Sequence, residues 1–204
     1  MKIQIDPAVF EKFNGFTVGI IFCQINNTEH SDDIYEMLRD IEEYVRISFN
    51  KNALISTSKA AQQLGLKHYH TRVEMLMETV LKGKEIPNKD TLTNLCNFIA
   101  LKHLVPVGAL DARNLGNLLF TIDNGELVLK DKKVVSRQLL YEADPSVEVS
   151  KKTQTALVLV ETLPPVDAGK MVHVVDELAD LIKIFCGRVQ KKVLSEKQPT
   201  WNTR

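Results

Sequence analysis

Cys96 and Asn97 stand side by side in LCNFIAL, an otherwise apolar run, and their types and setting raise the first question of chemistry in this chain. An amide inside an apolar helix must either find buried partners or line a pocket, because leaving it buried and unpaired costs roughly 1–3 kcal/mol. Position alone makes Asn97 a site candidate. Downstream lies the turn Pro106-Val107-Gly108-Ala109, whose small residues let a ligand approach the backbone, and Asp111 follows it. If helix and turn fold back together, Asn97, Gly108 and Asp111 converge on one pocket. A second polar group, Arg137, Glu142 and Asp144, interrupts a strand in SRQLLYEADPS. A buried structural amide and a solvated acidic loop are the plainer alternatives for the two groups.

Other chemistries lack their residues. No GxGxxG, GxxxxGK[ST] or GxSxG motif occurs, which removes the usual dinucleotide, P-loop and nucleophile-elbow readings. His68 and His70 form an H-x-H pair, but no cysteine or acidic cluster accompanies them at metal-ligand spacing, so no metal is expected there. His30, His103 and His173 are scattered, and their spacing supports no histidine-based triad. Cys96, flanked by apolar residues, reads as a packed thiol rather than a thiolate nucleophile. No cofactor is expected.

The elements that must position these residues follow from periodicity and punctuation. IQI is a short strand, Asp6-Pro7 starts a brief helix, and Asn14-Gly15 turns the chain into the buried strand FTVGIIFCQI. Ser31 is placed to cap a helix in which Ile34, Leu38, Ile41 and Val45 form an apolar stripe, and a short helix is expected around Ser58 to Leu64. Thr71 and Glu74 have capping-box spacing, Val73, Leu76, Met77 and Val80 make the buried face, and Lys82-Gly83 ends that helix. Asp90 or Thr91 starts the next one, which runs to about His103. LLFTI and ELVL, joined through Asp123-Asn124-Gly125, read as a hairpin, and VVSRQLLY and TALVLVE as further strands. Pro164-Pro165, an Asp167 cap and the stripe Met171, Val174, Leu178, Leu181 and Phe185 mark a last helix ended by Gly187. Strands and helices mix without regular βαβ alternation, which predicts an α+β fold.

Composition sets the bounds. The 204 residues, 44% apolar and 25% charged, suit one globular domain, expected over 1–190, with a basic C-terminal tail at 191–204. Cys23, Cys96 and Cys186, far apart and each in an apolar run, read as reduced thiols of a cytoplasmic protein. No signal peptide or membrane-spanning run is visible. With 26 basic and 26 acidic side chains, nucleic-acid contact requires local clustering. The clusters are Lys67, His68, His70, Arg72, Lys82 and Lys84, and then Arg188, Lys191, Lys192, Lys197 and Arg204. Solvated helix faces and a frayed tail are the bland reading of both.

Three runs, VLKGKEIPN, TNLCNFIALKHLVPVGALD and VSKKTQTALVLVETLP, in this order and at this spacing, resemble the B3/B4 domain, the tRNA-binding and editing module of the phenylalanyl-tRNA synthetase beta subunit. The opening IDPAVFEKFNGFTVGIIF is similar to the start of the free-standing relatives of that module. Asn97, Pro106, Ala109 and Asp111 fall on the Asn, Pro, Ala and Asp of its helix-and-turn pattern. Cys96 stands where that pattern has Thr and Gly108 where it has His, the latter fitting the free-standing branch. Leu139, Leu140, Tyr141 and Glu142 replace that branch's Trp-Asn-Trp-Arg run.

The resemblance implies a B3/B4-like α+β fold and tRNA as partner, without any phenylalanine-ligase activity. It also implies a route to hydrolysis of mis-attached amino acids that needs no protein nucleophile, since a pocket that aligns water with the aminoacyl ester supplies much of the barrier reduction. In that reading Asn97 is the catalytic residue and orients substrate or water. Cys96, Pro106, Gly108, Asp111 and Arg137 line the substrate site, and Glu142 or Asp144 reads the aminoacyl side chain. The alternative is a pocket for an amino acid or other metabolite on the same fold, with no RNA function.

Overall fold

The computed structural model describes residues 1–27, 31–49, 71–137, 142–162, 166 and 168–203. His30, Lys67, His68, His70, the short helix expected at 58–64, residues 138–141, Pro164-Pro165, Asp167 and Arg204 lie outside the described residues.

The fold is α+β, as the pattern predicts. Ten strands form two sheets among the described residues. They are β1 Lys2–Ile5, β2 Thr17–Ile25, β3 Val107–Asp111, β4 Leu118–Asp123, β5 Glu126–Lys130, β6 Val134–Arg137, β7 Glu142–Ala143, β8 Thr155–Thr162, β9 Gly187–Leu194 and β10 Thr200–Asn202. The first sheet has the order β10-β1-β4-β5-β6-β7 and the second β3-β8-β2-β9. The helices are α1 Pro7–Lys12, α2 Asp32–Ser48, α3 Arg72–Leu81, α4 Thr91–His103 and α5 Ala168–Phe185.

The molecule is layered, and β8 explains how. Its Leu157 and Leu159 pack with Ile3, Ile5, Phe13, Phe16 and Phe120 against the first sheet. Its Ala156, Val158 and Val160 pack with Leu95, Ile99, Val174 and Leu178 against the helices. A strand covered on both faces needs a nearly continuous apolar run, and TALVLV is one. The second sheet is therefore the middle layer. β2 alternates in the same way, with Val18 and Ile20 toward one core and Ile21 and Cys23 toward the other. Gly19 points to the helix side, where an added Cβ would lie 2.1 Å from Val175 Cγ2. The missing side chain lets α5 seat directly on β2.

Local rules place the helices that carry the candidate residues. The Thr71–Glu74 capping box forms in full: Thr71 Oγ1 accepts from Glu74 N at 3.2 Å and Glu74 Oε2 from Thr71 N at 2.7 Å. Asp90 caps α4 by accepting from Thr93 N. Ser31 holds the cap position of α2 but its side chain makes no cap bond. The hairpin turn of β4 and β5 puts Asn124 and Gly125 at φ 51° and 84°, the left-handed pair that matches strand twist.

Two expectations are corrected. Pro106 to Ala109 is not a turn: from Val107 the chain is strand β3, paired antiparallel with β8, because Val107 and Leu110 alternate between the two cores. The segment from 191 is not a frayed tail either. Residues 191–194 finish β9, which pairs along β2, and β10 pairs with β1.

Candidate functional site

Asn97 is 3% exposed, and its Oδ1 accepts a hydrogen bond from Arg72 Nη2 at 3.2 Å. This answers why an amide sits in an apolar helix: it holds a guanidinium from the first turn of α3. Charge alone would place Arg72 on a solvated basic face. Its Nε is instead buried and has no hydrogen-bond partner among the described residues. Such a donor costs free energy unless an acceptor arrives.

Beside this pair lies a small cavity of about 50 Å³, lined by Arg72, Lys89, Thr93, Cys96, Ala109, Glu148 and Val149. It brings α3, α4 and β3 together, but of the expected site residues only Cys96 lines it; Asn97, Pro106, Gly108 and Asp111 do not. The volume admits a few water molecules and is far below the roughly 300–1,000 Å³ of small-molecule pockets. Cys96 lines it as a neutral thiol, since burial pushes its pKa well above the ordinary range despite the opposing charge of Arg72. Burial thus disfavours a thiolate there, in line with the apolar flanks.

The remaining candidates separate into two places. Pro106 is buried at the entry to β3, and its carbonyl accepts from Glu161 N at 3.1 Å. Gly108 is buried in β3 opposite Leu159, an edge-strand position with one paired side. Asp111, 6% exposed, accepts from Arg113 Nη2 at 2.8 Å and from Thr153 Oγ1 at 2.8 Å. Burial alone would raise its pKa, but the bonds from Arg113 and Thr153 outweigh it and hold the carboxyl below its usual value. Asp111 is thus a fixed carboxylate in a structural network.

Arg137, Glu142 and Asp144 belong to the first sheet. Arg137 lies near Asp123 and Glu126, at 3.9 and 3.5 Å, and Glu142 is exposed on β7 opposite it. Asp144 caps a single 3₁₀ turn, Pro145–Val147, and pairs with Lys133, which with Ser146 draws its pKa down to about 2. No hydrogen bond, ion pair or cavity joins these three to Asn97 among the described residues. The two polar groups do not form one pocket there.

A larger groove opens elsewhere, at the ends of β2, β8 and β9. It measures about 700 Å³ and is lined by Gln24, Asn26 and Asn27, by Lys151 to Gln154, and by Cys186 to Arg188. Lys151, Lys152 and Arg188 make it basic. Burial holds the Cys186 thiol neutral, its pKa pushed up to about 12.

Buried and partly buried hydrogen bonds join the groove wall to the cavity beside Asn97. Thr153 bonds Asp111 and accepts from Ser150 N at 3.0 Å; the Ser150 carbonyl accepts from Asn27 Nδ2 at 2.9 Å. The same Nδ2 donates to Asp90 Oδ1 at 2.9 Å, and Asp90 Oδ2 accepts from Thr93 Oγ1 at 2.8 Å. Arg72, Asn27 and Thr153 are thus the residues that sequence spacing misses, because their partners Asn97, Asp90 and Asp111 lie at least 25 positions away. Of the groove residues, the sequence reading singled out only Arg188; the adjacent pairs Asn26-Asn27 and Lys151-Lys152 are the signals that could have found it.

No helix among the described residues is long and apolar enough to cross a membrane. No protein-family model matches the chain, and no curated protein matches it.

Proposed function

We propose that this protein binds RNA, and specifically tRNA, through the basic groove at the ends of β2, β8 and β9. The observation that carries the reading is the grouping of Lys151, Lys152 and Arg188 around an open volume of about 700 Å³ whose other polar walls are Gln24, Asn26, Asn27, Thr153 and Gln154. Cations there meet phosphate oxygens, and amides and a hydroxyl meet sugar and base edges. Lys151 and Lys152 also fall inside VSKKTQTALVLVETLP, one of the runs that resemble the B3/B4 domain. Fluorescence anisotropy with labelled tRNA is the test. Binding should strengthen as salt falls, with a slope of log K against log salt of about −2 to −3 for three phosphate contacts, and the Lys151→Ala/Lys152→Ala/Arg188→Ala variant should weaken it at least about tenfold. Absence of a signal at low salt sinks the proposal.

A second reading, hydrolysis of a mis-attached amino acid from that tRNA, rests on the cavity beside Asn97. The space fits water rather than a side chain, and it is lined by Arg72, whose buried Nε has no hydrogen-bond partner among the described residues. Water would add to the ester carbonyl and the ribose oxygen would leave, giving free amino acid and tRNA, with Asn97 holding Arg72 in place. A panel of mischarged tRNAs followed for deacylation decides it. No loss above background, or equal loss with Asn97→Ala, counts against this site. If tRNA neither binds nor is cleaved, a thermal-shift screen of amino acids tests the groove as a metabolite pocket.

A further inference from the structure

We propose that His103, His173 and Glu177 form a binding site for a divalent transition-metal ion, with Zn²⁺ as the defining ligand. One ligand atom from each of the three lies within 4.8 Å of the other two. Glu177 Oε2 is the shared vertex, 2.8 Å from His103 Nε2 and 3.9 Å from His173 Nε2. The site lies apart from the groove and the Asn97 cavity, and none of its three residues lines either.

Two elements build it. His173 and Glu177 are four apart on α5 and so share a helix face. His103 is the last residue of α4, where Leu104 closes the helix in the left-handed conformation at φ 54°. The two imidazoles meet edge to face, with centroids 5.6 Å apart and planes at 83°. That leaves both Nε2 atoms turned to one carboxylate oxygen.

The geometry is close to what a zinc ion requires. Donors at about 2.0–2.2 Å from a tetrahedral zinc lie roughly 3.3 Å from one another. His103 and Glu177 would therefore separate by about half an ångström and His173 would approach by a similar amount. His173 is free to do this, its side chain being 71% exposed, whereas His103 and Glu177, at 12% and 21%, are already held. Lys102 Nζ bonds the other carboxylate oxygen, Oε1, at 2.6 Å, and so fixes the carboxylate without occupying the atom that would ligate. Two imidazoles and one carboxylate select zinc over magnesium or calcium, which demand oxygen ligands. Three protein ligands leave a fourth position open beside exposed His173. Bound zinc ties the end of α4 to α5.

Isothermal titration of metal-free protein with ZnCl₂, and separately MgCl₂, tests the site. The intact protein should bind one zinc equivalent and no magnesium, with a Tm rise of roughly 5 °C at saturation. His173→Ala, an exposed change expected to leave the circular dichroism spectrum like the parent's, and Glu177→Gln should each weaken zinc binding by at least about tenfold. His68→Ala/His70→Ala should leave it unchanged, since the H-x-H pair is the rival ligand set. Unaltered affinity in His173→Ala, loss of binding in the His68/His70 variant, or no zinc binding by the intact protein would each overturn the proposal.

Discussion

At the scale of single residues, buried polar groups carry the information, and each sets up a measurable coupling. Asn97 Oδ1 accepts from Arg72 Nη2 across α4 and α3. Replacing either by Ala leaves the other short of a partner, so each should cost about 1–2 kcal/mol in urea unfolding, and the double variant should cost little more than one alone. Additive losses would mean the pair does not act as a unit. Glu161 is a different case, 2% exposed on β8, where burial pushes its carboxyl up to about 8. The folded protein then keeps a proton that the unfolded chain releases above its ordinary value of 4.5. Stability must fall as pH rises from about 4.5 to 8, and the loss is complete above that window. Glu161→Gln removes the ionisation, so its melting temperature should match the parent's near pH 4 and exceed it by several degrees at pH 8. Parallel pH profiles for parent and variant would refute this.

At the scale of elements, what could be read from sequence was what local rules determine. The Thr71–Glu74 capping box, the Asn124-Gly125 hairpin and the apolar stripe of α2 each rest on residues a few positions apart, and each forms. β3 and β9 were hidden for a non-local reason. VGALD is short and follows a proline, and GRVQKKVL is as charged as a tail; β3 is strand because β8 pairs it, and β9 because β2 does. The site divides on the same line: the setting of Asn97 showed in its apolar flanks, while its partner Arg72 depends on how α3 meets α4. Gly19 shows the converse, a residue whose meaning appears only once α5 is in place. Gly19→Ala would drive a methyl to 2.1 Å from Val175 Cγ2 and 3.0 Å from Met171 Sδ, costing about 1–3 kcal/mol. Adding Val175→Ala should recover part of that loss, and thermal melts of the single and double variants measure it. If the second change only deepens the loss, the contact is not the cause.

At the scale of the whole molecule, the three layers depend on the end of the chain. β10 pairs with β1 through Ile3 and Trp201, and Pro199 accepts a hydrogen bond from Ile5 N at 2.8 Å. Leu194, fully buried, belongs to the core between the two sheets, and residues 191–194 pair with Val18 to Ile21. The same segment carries Lys191, Lys192 and Lys197, so its charge and its structural role point in opposite directions: its charge suggests solvent, and its pairing closes both sheets. The pairing should win, because a lost ladder leaves backbone groups of β1 and β2 unpaired and uncovers apolar side chains at about 25 cal/mol per Å². Ending the chain after Gln190 is therefore expected to lower the melting temperature by ten degrees or more, on the order of several kcal/mol, or to prevent folding. Circular dichroism melts of the shortened and full-length chains compare the two readings directly. A shortened chain that melts within a few degrees of the parent would make 191–204 an appendage, and the layered account of the two sheets would have to be withdrawn.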